Sequence, residues 1–373
     1  MKSFLKNTVV ALATVLAVTA AEAREIRIAP AAPPAHPANG TMYTNFAAYL
    51  PEESGGELTA TILGPEVVNL TQMKDALQSQ VAEVGNLLPL YFPADLPMMS
   101  VTGQLSLTSQ NPHAMGAAMT EFIVNCAPCQ DEMKALGFVY LGSGASDLYE
   151  FITTKPVKTA ADLEGLRLRS GGAPWARLAE NFGAVPVQMS VFDQFEAMNS
   201  GTIDGTMASV GDLLAFRLVE VAKHITKAPL GGYISTSNFT VASPTWSSLS
   251  EDEKGAMVRA ANRANADFTN RWGYEIPDIA EGAAKEAGIE FIEPDPELVT
   301  ALEAFIEADI ETAGTYSQEQ FGIADAPEQI QKFLDLVDKW EAIAAEVNDD
   351  PQTMAQRVYE EVWSKVDTST YGS

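Results

Sequence analysis

Short apolar stretches alternate with helix-period stretches along this chain, and that alternation limits the fold more than any other feature. Residues 25–34 form an alternating strand that ends in prolines. A helix over 41–53 is closed by Gly55 and Gly56, and 57–64 is a second strand. Apolar residues recur at helical spacing over 68–80, and 82–93 supplies a third strand and its loop. A β-α-β-α-β opening of this kind predicts a parallel sheet covered by helices. A helix over 113–136 then precedes a strand at 137–144. From Lys155 the pattern begins again. A short helix, a glycine turn and a strand fill 161–170, a helix ends at Gly183, 185–190 is a strand, and 192–209 is helix, glycine turn and strand. The chain has 373 residues, and single cores stop growing at roughly 250–300. Two α/β lobes follow, joined where extended segments at 224–236 and 239–250 carry the chain back. A long helical run over 250–288 opens on a capping box, Ser250 with Glu253, and carries a kink at Pro277. Further helices complete the chain.

The amino terminus sets the compartment. Lys2 and Lys6 precede an apolar run over 8–20, followed by Ala21-Glu22-Ala23, a small-x-small cleavage signature. The run is too short to span a bilayer, so a signal peptide cut after Ala23 is expected, with a retained anchor helix as the alternative. No lipobox cysteine stands near the cut. The formal charge of −27 repels nucleic acid and anionic lipid, so neither is an expected partner. Cys126 and Cys129 are the two cysteines. In an oxidising compartment a CxxC reads first as a local disulfide, with a redox motif or two free thiols as the alternatives. With only three histidines and no second CxxC, no metal site is expected.

The chemically informative stretch is 155–226. In a strand, Arg167 and Arg169 point to one face, and the carboxyl end of an α/β strand is where ligands bind. A guanidinium fork matches a carboxylate through two parallel hydrogen bonds. Three motifs lie at fixed spacing: Asp162-Leu163-Glu164-Gly165-Leu166-Arg167-Leu168-Arg169, Gly183-Ala184-Val185-Pro186-Val187-Gln188-Met189, and Ala197-Met198-Asn199-Ser200-Gly201-Thr202-Ile203-Asp204-Gly205. Together with the segment at Trp246, they resemble the solute-binding proteins of tripartite ATP-independent periplasmic (TRAP) transporters, the DctP family.

The resemblance implies a two-lobed periplasmic binding protein fold with an interlobe cleft, hinge crossovers and a long helix spanning both lobes. The family's interleaved pattern gives residues 24–146 and 234–273 to lobe I, and 147–233 and 274–373 to lobe II. It also implies a small organic-acid ligand, the small and large membrane permease subunits as partners, and a salt bridge from Arg169 to the ligand's carboxylate. Arg167 is expected to be structural or solvated. Some relatives place a second arginine about twenty residues earlier, where this chain has Tyr149 and Glu150. After Asp204-Gly205 the chain has Thr206, Met207, Ala208 and Ser209 where relatives carry glutamate or asparagine. A monocarboxylate with an apolar body is therefore expected.

Further wall positions are His36 in the loop after the first strand, Asn86 and Leu87 at the end of the third, Trp175, Met207, Ala208 and Tyr233. Asp204 is expected as a turn-former. No nucleophile elbow, zinc-helix motif, phosphate loop or dinucleotide fingerprint occurs, so no catalytic residue and no cofactor are expected. The alternatives are an exported hydrolase acting on a polar substrate and a periplasmic ligand sensor.

Overall fold

The computed structural model describes residues 23–372. The expected export signal, Ala23 aside, lies outside the described residues. Thirteen strands are formed among them: β1 (Arg24–Ala29), β2 (Leu58–Ile62), β3 (Val84–Gly85), β4 (Phe138–Tyr140), β5 (Gly144–Leu148), β6 (Glu150–Thr153), β7 (Arg167–Ser170), β8 (Val185–Gln188), β9 (Gly205–Ala208), β10 (His224–Thr226), β11 (Gly232–Ser235), β12 (Thr240–Ala242) and β13 (Glu290–Ile292). They make two sheets, one per lobe, in the orders β2-β1-β3-β12-β4 and β13-β10-β6-β9-β7-β8. A two-stranded ribbon, β5 with β11, runs between the lobes.

The first sheet is mixed, not parallel as the opening pattern predicts. β1 pairs in parallel with β2 and β3, whereas β12 lies antiparallel to both β3 and β4. The second sheet has a matching exception, β6, antiparallel to β9 and β10. Each exception is the strand that arrives from the other lobe by way of the ribbon. It therefore enters its sheet against the direction set by the local β-α-β units.

The long helix joins the lobes. Its first part, Glu251–Asn270, buries Met257, Ala260, Ala264 and Phe268 in the first lobe's core. Its last part, Ile276–Glu286, buries Ala280 and Ala284 in the second. The capping box forms: Glu253 N donates to Ser250 Oγ (3.2 Å), and Ser250 N donates to a Glu253 carboxylate oxygen (2.7 Å). The break expected at Pro277 appears as one wide turn, Arg271–Glu275. A proline ring crowds the carbonyl four residues earlier, here Gly273, and the wide turn opens the helix at that point. Cys126 and Cys129 form a disulfide, which stands where the expected helix over 113–136 divides into Pro112–Asn125 and Ala127–Leu136.

The carboxyl-terminal helices depart from the expected lobe limits. Helix Pro296–Phe321 begins in the second lobe, where Leu298 and Leu302 are buried. Helix Ala326–Glu346 packs on Pro112–Asn125 in the first lobe, and Phe333, Trp340 and Trp363 join that core. Lys339 Nζ and Trp340 Nε1 both donate to Glu121 (2.8 and 2.6 Å), and Asn262 Nδ2 donates to Ala355 O (2.6 Å). The apolar stripes of these helices cover first-lobe surface, so from Ala326 onward about half of 274–373 packs on the first lobe and not on the second.

Gly205, in the third motif, lies where β9 presses on β6: a Cβ there would meet Ile152 O at 2.7 Å and Thr153 Cγ2 at 2.6 Å. Gly205→Ala should destabilise the protein by about 1–3 kcal/mol, the usual range for overpacking. Denaturant unfolding checks this, and an unchanged midpoint would mean the strands part without strain.

Candidate functional site

The ribbon places two tyrosines between the lobes. Tyr149 follows β5, and its N–H donates to Gly231 O (2.7 Å). Tyr233 lies in β11, and its N–H donates to Ser146 Oγ (2.9 Å). Gly231 has φ +66°, and a Cβ there would fall 2.2 Å from Ser106 O, so only glycine lets the ribbon pass this close. Trp175 Nε1 donates to Leu230 O (3.0 Å), and its ring stacks on Tyr149 at 4.7 Å. The local sequence thus fixes the ribbon's aromatic face before any ligand is considered.

Arg169 stands on β7 beside this face, while Arg167 begins the same strand and turns to a different partner. Arg167 Nε donates to Asp204 Oδ2 (2.9 Å), and Lys155 Nζ lies 2.8 Å from Asp204 Oδ1. Asp204 is therefore an ion-pair anchor as well as the turn residue expected, and the Arg167 guanidinium holds its carboxyl well below the usual range. Arg169 differs in every respect. It is 5% exposed, its Nε has no hydrogen-bond partner, and among the described residues no carboxylate lies within ion-pairing distance.

A cavity of about 60 Å³ opens against Arg169, lined among others by His36, Asn86, Tyr149 and Tyr233. One water needs about 10–15 Å³ on this measure, so the space is that of roughly five waters, the scale of a single-ring solute. The remaining walls include Tyr91, Phe192, Phe216, Phe268 and Trp272, plus one acid, Asp212. A wider cleft of about 390 Å³, lined by Pro93, Trp175, Gln188 and Tyr316, meets this cavity at Arg169, Tyr91 and Tyr233.

The structure brings together Arg169, Tyr149, His36, Asn86 and Tyr233. Trp175 borders the outer cleft and supports Tyr149 from behind. Three expected wall residues are not in the wall. Leu87 is fully buried, its neighbours Asn86 and Leu88 face the cavity, and its N–H is committed to Ser237 O (3.1 Å). Met207 and Ala208 are fully buried in the two second-lobe cores on either face of β9. A central strand buries both faces, so those two side chains were never available to a ligand. The residues that sequence reasoning missed are Asp212 and the aromatic ring of Tyr91, Phe216, Phe268 and Trp272. They come from segments remote in the chain, and no spacing rule links them.

Burial governs the titrating groups here. Burial pushes the hydroxyls of Tyr149 and Tyr233 well above the ordinary tyrosine range. It pushes the Asp212 carboxyl up to about 6, with the Arg169 charge opposing. It lowers His36 to about 4; its Nδ1 accepts from Ala38 N (3.1 Å), and its ring meets Trp272 edge-on at 5.0 Å.

Residues 28–314 match the family profile of the bacterial extracellular solute-binding proteins, family 7, DctP. The chain belongs to this family. A solute-binding protein of Roseobacter denitrificans is 29% identical over 148 residues, 38% of this chain and 43% of the relative. The chain thus spans about two fifths of the length of the curated relatives it first matches. Among solved structures, a marine-metagenome TRAP solute-binding protein specific for aromatic acids, in complex with 3-hydroxybenzoate, superposes with a TM-score of 0.76 at 19% identity. It covers 86% of this chain and 99% of its own. A TRAP periplasmic protein from Bordetella bronchiseptica with bound mandelate gives 0.71 at 22% identity, over 84% and 99%. The chain shares its fold with both of these solved structures.

His36 has a folded pKa below its unfolded one, so between pH 6.5 and about 4 the unfolded chain takes a proton that the native chain refuses. Its contribution should be complete above pH 6.5 and fall as the pH drops through that window. Imidazole NMR shifts check this: His36 should stay neutral to about pH 4, and titration near 6.5 would contradict its burial.

Proposed function

We propose that this chain is the periplasmic receptor of a TRAP transporter. It binds a small organic acid between its lobes, through a salt bridge from Arg169 to the acid's carboxylate, and delivers it to the small and large membrane subunits. The observation that carries this reading is the buried guanidinium, which lacks any protein counter-charge within reach and borders a solute-sized cavity between the lobes. A buried cation without a partner costs several kcal/mol, and a carboxylate of the solute removes that cost.

The wall composition supports a flat, largely apolar body. Its cavity carries one arginine, no lysine and five carbocyclic aromatic side chains besides the two ribbon tyrosines, which suits a monocarboxylate with one ring. The aromatic acids carried by the structural neighbours support the same class. Charge supports a short-range mechanism, since a chain of formal charge −27 repels an anion at a distance and attracts it only at the guanidinium.

The ribbon and the wide turn of the long helix form the hinge in this proposal. Closure excludes water, and the lower dielectric strengthens the Arg169 contact. The ligand then shifts the population toward the closed form that the membrane subunits recognise. We assign 24–146 and 234–273 to lobe I and 147–233 to lobe II, with the carboxyl-terminal helices returning to lobe I from Ala326 onward. As a receptor, the protein should leave its solute unchanged.

Arg169→Ala should weaken binding of benzoate by on the order of a hundredfold or more, since it leaves a carboxylate buried and unpaired. Arg169→Lys should recover only part of the loss, because an ammonium lacks the fork. Isothermal titration calorimetry measures both. Affinity unchanged in Arg169→Ala, or product accumulating with time, would overturn the proposal.

A further inference from the structure

The cavity holds a second buried charge that the carboxylate of an acid leaves unanswered. Asp212 is 3% exposed and lines the same cavity as Arg169. The two feel each other's charge, yet no contact within 4.0 Å joins them. Its one side-chain hydrogen bond is long: Gln194 Nε2 donates to Asp212 Oδ2 at 3.4 Å. Gln194 is itself fully buried, and its Oε1 accepts from Thr206 Oγ1 (3.1 Å), so it is held in place. In the same lining, Asn86 carries a buried Oδ1 with no partner. The polar wall is thus one fork of donors at Arg169 against acceptors at Asp212 and Asn86.

A solute offering only a carboxylate satisfies Arg169 and seals Asp212 into a water-poor cavity with a single long hydrogen bond. Buried carboxylates left this way are costly. A solute that also carries a hydrogen-bond donor spans the gap between the two charges and answers both. Building on the carboxylate reading above, we propose that the physiological solute is a ring-bearing monocarboxylic acid with a hydroxyl or N–H group, and that Asp212 accepts from that donor and sets the specificity.

Calorimetry on the exported chain at pH 7.5 tests this with benzoate, the three hydroxybenzoate isomers and 3-(aminomethyl)benzoate, on wild type, Asp212→Asn and Asp212→Ala. For the wild type, the best donor-bearing acid should bind 10- to 100-fold more tightly than benzoate. In Asp212→Ala that ratio should fall below about threefold. Asp212→Asn separates the two donor types. A hydroxyl preference should be reduced but survive, because the amide oxygen still accepts, whereas an ammonium preference should vanish with the charge. Benzoate and every donor-bearing acid binding wild type equally would overturn the role of Asp212 and leave the carboxylate reading standing. So would a donor preference that persists in Asp212→Ala. Failure of all the acids to bind wild type would overturn both readings.

Discussion

A largely buried guanidinium with no carboxylate within ion-pairing distance among the described residues is the condition to which the rest of this molecule answers. Burying Arg169 is unfavourable by several kcal/mol until an anion pairs with it. The cost is tolerable because β7 is a rigid central strand, fixed on one side by β8 and on the other by β9. Asp204 belongs to the same arrangement: it engages Arg167 and Lys155 and leaves Arg169 to face the cavity. Two arginines of one motif thus have opposite fates, one spent in an ion pair and one left facing a cavity.

The elements that connect the lobes also supply cavity walls. Tyr149 and Tyr233 are part of the ribbon that passes between the lobes, and Trp272 lies in the wide turn of the long helix, where its Nε1 donates to Ser209 Oγ (3.2 Å). Any rotation of one lobe on the other moves these rings against Arg169. Conversely, a flat solute stacked among them biases the ribbon toward one arrangement. In the proposed clamp, binding and closure would be coupled through these shared side chains.

Much of this was legible in the sequence, for definite reasons. The alternation of periods 2 and 3.6 exposed both lobes, and the motif around Arg169 pointed to a residue that the fold sets on a buried cavity. The capping box at Ser250 and the break near Pro277 appeared where local chemistry dictates them. The sheet directions did not show, because β6 and β12 take their orientation from the lobe they come from and not from their neighbours in sequence. Met207 and Ala208 misled because a motif's position in the chain does not show that its strand is central and buried on both faces. Leu87 was wrong by a single residue, since facing alternates along an extended chain. Asp212 was silent: one acid among 50 acidic residues acquires meaning only when the fold sets it on the same cavity as a buried arginine.

The most direct test of the account is a crystal structure with an aromatic acid bound. The account predicts one solute between the lobes, its carboxylate meeting the Arg169 fork through two parallel hydrogen bonds, and its ring packed among Tyr149, Tyr233 and Trp272. A carboxylate held elsewhere, with Arg169 turned away to solvent or paired to a protein acid, would contradict it.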